Sequence, residues 1–191
     1  GPISTDVTWY MNAGMNGIKD TFILNRYFHV FLQTVFLDIA SKPLIGLQNY
    51  WAFLITGISL LIYLAARNLT SHNRPLHAIL AVSLFFSTGI VADTAGLPLV
   101  DITVMFMVLL FIIVYIASTR KMHESKIIIA LLGFLFFLAF KTKETTLPIA
   151  ILFIGLSMDN DNILNWKSFI RRLGYVFIGI CIGGAFFSIL N

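Results

Sequence analysis

Cysteine, charge and ligand-spaced histidine are all scarce in this sequence. One cysteine, Cys181, stands among 191 residues and lies inside an apolar run. A disulfide framework and a thiolate metal cluster are therefore excluded. Charged residues make up only 12%, against about 25% in a soluble domain. There is no heptad array, internal repeat, low-complexity tract or Gly-rich phosphate loop, and residues 1–21 hold no signal-peptide core. What is present is apolar: 58% hydrophobic, 14% aromatic, 18 Phe, and a mean hydropathy of +0.88. A chain this short cannot enclose so much apolar surface in one core. An ordinary soluble domain, a disordered chain and a nucleic-acid-binding module are excluded, and nucleic acid is not an expected partner. The composition points to an all-α, multi-pass membrane protein. The net charge of +4 reads as loop charge that sets orientation. The aromatics read as lipid-facing and packing material.

A bilayer core about 30 Å thick needs about 20 apolar helical residues. Six spans are expected on that basis. Residues 45–66 form a 22-residue run without charge. Residues 77–92 are shorter, and 99–119 are strongly apolar apart from Asp101 near the start. Residues 126–143 are extended by snorkelling Lys126, Lys141 and Lys143. Residues 145–158 carry Pro148 near their start, where proline is tolerated. Residues 173–190 hold four glycines that would let helices approach closely. The chain opens on Gly-Pro and stops at Asn191 directly after an apolar segment, which is expected of a processed chain or a piece of a longer one.

Residues 1–44 precede the spans as an outer-face segment. Within it, residues 27–40 place Tyr27, Phe28, Phe31, Leu32, Val35 and Phe36 on one helical face, with Ile39 beyond them. His29, Gln33 and Asp38 lie towards the other. That pattern predicts an amphipathic helix lying in the interface, the alternative being a short tilted span.

Charge then orients the chain. With residues 1–44 on one side and six alternating spans, the loops 67–76, 120–126 and 159–172 share the opposite side. They collect eight Lys or Arg against five elsewhere. The positive-inside rule makes that side cytoplasmic. The sequon Asn68-Leu69-Thr70 falls there too, and carries no weight.

The outer side gathers ionisable groups from separate loops. Asp6 and Tyr10 lie on one side of a predicted first helix, Arg26 opens the next, Asp93 and Asp101 bracket a tight connection, and Lys141, Lys143 and Glu144 lie in another. Charge at membrane depth is costly, so such groups are functional candidates by default. Each also has a plainer reading. Asp6 can be a helix cap, Asp93 a solvated loop acid, and Arg26, Lys141 and Lys143 interface anchors. His29 reads as a polar-face residue, since no second ligand stands at metal spacing.

The order Asp6/Tyr10, then Arg26-Tyr27-Phe28, then Asp101, then Thr142-Lys143-Glu144 resembles the amino-terminal module of the GT-C membrane glycosyltransferases. Protein O-mannosyltransferases and lipid A aminoarabinose transferases are the nearest in pattern. The resemblance covers about residues 1–157. It implies inverting transfer of a sugar from a polyprenyl-phosphate donor to a lipid, protein or glycan acceptor at the outer face of a cell or endoplasmic reticulum membrane. By the same resemblance, Asp6 and Asp101 are catalytic or hold a divalent cation (Mg or Mn), with Asp93 a further catalytic acid. Arg26, Tyr10, Lys143 and Glu144 bind substrate. Val7 after Asp6 departs from the Asp-Glu pair common in such proteins, and the first span that the resemblance implies is expected upstream of Gly1.

Two other classes compete. A transporter or flippase for an anionic lipid would use ionisable groups along a path through the spans, whereas the expected span centres carry none. A non-catalytic scaffold subunit requires no chemistry.

Overall fold

The computed structural model describes residues 26–70, 74–88, 100–121, 125–157 and 165–190, and among these every regular element is helical. In chain order they are α1 (Tyr27–Ile39), α2 (Pro43–Leu69), α3 (Arg74–Ser87), α4 (Val100–Lys121), α5 (Lys126–Thr142), a 3₁₀ segment (Glu144–Ser157) and α6 (Trp166–Leu190). Three stretches are long and apolar enough to cross a membrane: Pro43–Leu69, Val100–Ala117 and Trp166–Ile189. That length and apolarity mark the chain as a membrane protein.

Several helix bounds differ from those expected, for local reasons. α3 ends at Ser87, short of the predicted limit at 92. Residues 145–158 were expected as a span, and the backbone there is 3₁₀ over 14 residues. At about 2 Å of rise per residue such a segment reaches about 28 Å. The loop expected over 159–172 is helical from Trp166 onward, so α6 has 25 residues. Its start is fixed by Asn165, whose Oδ1 accepts the Ser168 N–H at 3.1 Å. This is an N-cap bond three residues into the helix. A charge-free window could not include that turn, because Lys167, Arg171 and Arg172 lie in it. Pro43 opens α2 at a position where its missing N–H costs nothing.

The chain divides into two compact units, and the division falls within α4 after Leu109. In the first unit Tyr50, Leu54, Ile55, Ile58, Phe85 and Ile102 form a buried cluster. α2 and α4 run in the same direction there: Tyr50 meets Thr103, and Phe53 packs on Phe106 with ring centroids 5.6 Å apart. α3 returns between them in the chain and brings Phe85 at its far end to the cluster. α1 folds back on α2, with the Phe36 ring 5.4 Å from Tyr50 and 5.3 Å from Phe53.

In the second unit α5 and α6 also run in the same direction. Phe134 packs on Phe186 and Phe137 on Phe187. The two backbones touch: a Cβ at Gly133 would fall on the Val176 carbonyl, and one at Gly179 on the Ala130 carbonyl. The 3₁₀ segment runs back from the end of α5, with Phe153 against Phe136 and Phe111. Its Leu156 carbonyl accepts a hydrogen bond from the buried Arg172 guanidinium at 2.8 Å. The start of α5, the end of the 3₁₀ segment and the start of α6 therefore share one end of this unit.

Candidate functional site

Three buried polar residues of the first unit, His29, Tyr50 and Thr103, meet near the start of α1. Its sequence YFHVFLQTVFLDI has one polar stripe, His29 and Gln33 one turn apart. Both are fully buried, while Val35 is 37% and Ile39 80% exposed. This corrects the expectation that His29 faces outward with the polar surface. The physical reason is the set of partners on the neighbouring helices. Tyr50 of α2 and Thr103 of α4 are each fully buried too, and each brings a hydroxyl that an apolar neighbour could not supply.

The geometry is tight. His29 Nδ1 lies 2.7 Å from Thr103 Oγ1 and 3.3 Å from the Tyr50 hydroxyl, and that hydroxyl lies 2.8 Å from Thr103 Oγ1. One proton assignment accounts for the two short contacts: Tyr50 donates to Thr103, and Thr103 donates to Nδ1 of a neutral imidazole. Burial pushes His29 down to about 3, the nearby positive charge of Arg26 pushes the same way, and Asp101 opposes them. The imidazole is thus neutral at physiological pH. Gln33 continues the stripe, and among the described residues neither atom of its buried carboxamide has a hydrogen-bond partner.

The sequence candidates fall as follows. Arg26, half-buried, precedes α1, and Asp101 is exposed in the first turn of α4. Far apart in the chain, both exert their charge on His29. Asp101 also suits the positive end of the α4 dipole. Lys143 and Glu144 belong to the second unit, at the junction of α5 and the 3₁₀ segment. Lys143 closes α5 with its N–H on the Ala139 carbonyl at 3.1 Å, and its own carbonyl accepts the Thr146 hydroxyl at 2.9 Å. Asp6, Tyr10 and Asp93 lie outside the described residues. Of the two carboxylates expected to hold a divalent cation, Asp101 alone is described, and no group of three His, Cys, Asp or Glu gathers among the described residues. A hard cation needs several oxygen ligands. The described residues do not make such a site.

Sequence reasoning missed the trio of His29, Tyr50 and Thr103. Its signal was present but weak: a His and a Gln at i, i+4 on an otherwise apolar helix, and single hydroxyls one or two turns inside apolar runs.

No family model, curated protein or solved structure matches this chain.

Proposed function

We propose that the chain is the amino-terminal membrane module of a GT-C glycosyltransferase, multi-pass, with its reacting face outside the cytoplasm. The observation that carries the reading is the His29–Thr103 hydrogen bond, which joins the segment bearing Arg26 to the segment bearing Asp101, so that both charges bear on one imidazole. Arg26 stands three residues before His29 and Asp101 two residues before Thr103, and those two partners meet at 2.7 Å. Transfer from a lipid phosphate needs that combination. The acceptor hydroxyl attacks the anomeric carbon as its proton passes to a carboxylate. The bond from that carbon to the phosphate oxygen breaks, and the phosphate leaves with the electron pair. Arg26 stabilises the departing phosphate, as a guanidinium does through paired hydrogen bonds. Asp101 supplies a second carboxylate; the resemblance makes Asp6 the base, Asp93 a further catalytic acid and Tyr10 a substrate-binding residue. By the same resemblance Lys143 and Glu144, in the second unit, bind substrate. The buried trio holds α1 and α4 in register, so that Arg26 and Asp101 stay at a fixed separation.

Helix direction supports the topology. In each unit, helices running one way alternate with a returning segment, and the end of the second unit that carries Lys126, Lys167, Arg171 and Arg172 becomes cytoplasmic. With Cys181 replaced by Ser, a single cysteine at position 122 should react only from the cytosol, and one at 143 only from outside.

The decisive experiment is transfer of a labelled sugar from a polyprenyl-phosphate donor by the full-length protein. Asp6→Asn should lower turnover roughly 10²–10⁴-fold if that carboxylate is the general base. Arg26→Gln should lower it as well, and wild-type turnover in both variants removes the mechanism. The buried polar trio also favours a second reading, transport of an anionic lipid. Flux of labelled lipid in sealed vesicles without sugar transfer would establish that reading instead.

A further inference from the structure

The basic end of the second unit carries an arrangement that sugar transfer leaves unused. Arg171, Tyr175, Ile178 and Ile182 stand at i, i+4, i+7 and i+11 on α6, one face of the helix. Arg171 is exposed, and Ile178 and Ile182 are 49% and 54% exposed. Lys126, the exposed first residue of α5, holds its ammonium 5.9 Å from the centre of the Tyr175 ring. Lys167, also exposed, stands one turn before Arg171, and Trp166 is 62% exposed at the head of the helix.

Read from the end inward, the surface runs from indole to cations, then to an aromatic ring under an ammonium, then to aliphatic side chains. Neither α5 nor α6 contains an acid. Arg172 is not part of this face: it is buried and donates to the Leu156 carbonyl. The order matches one molecule, a phospholipid whose phosphate sits at interface depth and whose acyl chains lie deeper. The cations favour a headgroup of net negative charge. A second copy of this chain would set these like charges against one another.

We propose that this face of α5 and α6 binds an anionic glycerophospholipid, with Lys126 and Arg171 holding the phosphate beside the Tyr175 ring and an acyl chain lying along Ile178 and Ile182. The site rests on the chain's being a membrane protein, and it is independent of the transfer reading, which uses Lys143 at the opposite end of α5.

The test is native mass spectrometry of the full-length protein in detergent, titrated with phosphatidylglycerol and, separately, phosphatidylcholine. Phosphatidylglycerol should bind at least about 25-fold more tightly. Lys126→Gln and Arg171→Gln should each weaken it roughly fivefold, and together about 25-fold, with phosphatidylcholine unaffected. Arg171→Lys should keep most of the preference, and Arg67→Gln all of it. Equal affinity for the two lipids overturns the proposal, as does a preference that survives the double variant. Displacement of phosphatidylglycerol by millimolar inorganic phosphate also overturns it, since the site would then be one for a soluble anion. If the double variant loses its thermal transition, Arg171→Lys decides: a folded Arg171→Lys protein without the preference sinks the idea.

Discussion

His29 and Thr103, 74 positions apart, meet at 2.7 Å inside the first unit, and Tyr50 closes the triangle. Attraction between apolar faces is weak in a membrane, because lipid tails compete equally well. Interhelical hydrogen bonds of this kind are what tell one helix where to sit on another.

The first prediction follows from that triangle. Thr103→Val keeps the shape but deletes the hydroxyl that bonds both His29 and Tyr50. It should destabilise the protein by about 1–3 kcal/mol, the cost of leaving buried polar groups without that bond. Denaturation of the purified protein measures it, and an unchanged transition would mean that the hydroxyl contributes nothing.

His29 sets a pH dependence. Its folded value, lowered by burial to about 3, lies below the ordinary histidine value of about 6.5. The folded state therefore holds the neutral ring while the unfolded chain takes up a proton. Stability from this group is complete above about pH 6.5 and falls as pH drops from there towards 3, with a limiting slope of about 1.4 kcal/mol per pH unit. Thermal midpoints of wild type and His29→Gln, compared between pH 7 and pH 4, should converge on acidification. Parallel profiles would show a ring that already titrates normally when folded.

Gln33 offers the opposite sign. Its carboxamide is buried, and none of the described residues satisfies it. Gln33→Met keeps the length and removes both polar atoms. It should raise stability by about 1–3 kcal/mol, the penalty of an unmade buried bond. A lower midpoint would reveal a polar group or water bound to the amide.

The glycines of α5 and α6 should divide into two kinds. Gly133 of α5 and Gly179 of α6 stand against the facing backbone, whereas a Cβ at Gly174 or Gly184 meets nothing within 4 Å. Gly133→Ala and Gly179→Ala should each cost about 1–3 kcal/mol through overpacking. Gly174→Ala should be neutral or gain up to about 1 kcal/mol, as expected for alanine in a helix interior. Comparing the three midpoints with that of the wild type tests the contact directly.

The all-helical class was legible because long charge-free runs admit little else. The helix ends were less so, since a hydropathy window stops at the first charge: Lys167 and Arg171 lie inside α6 but outside any apolar run. The orientation of α1 misled for a related reason. Amphipathicity identifies the polar stripe, but water on one side is an assumption, and partners such as Tyr50 and Thr103 sit too far along the chain to be seen. Arg26 and Asp101 were singled out from residue type and order. Their common effect on His29 required the fold, and Asp6, Tyr10 and Asp93 lie outside the described residues.

The contact between Gly133 and Val176 has a mechanical consequence. Where main chain rests on main chain, no rotatable side chain remains to let one rod glide past the other. Sliding of α5 along α6, the usual small shear of packed helices, is blocked. Any movement within this unit must arise from parts other than this pair.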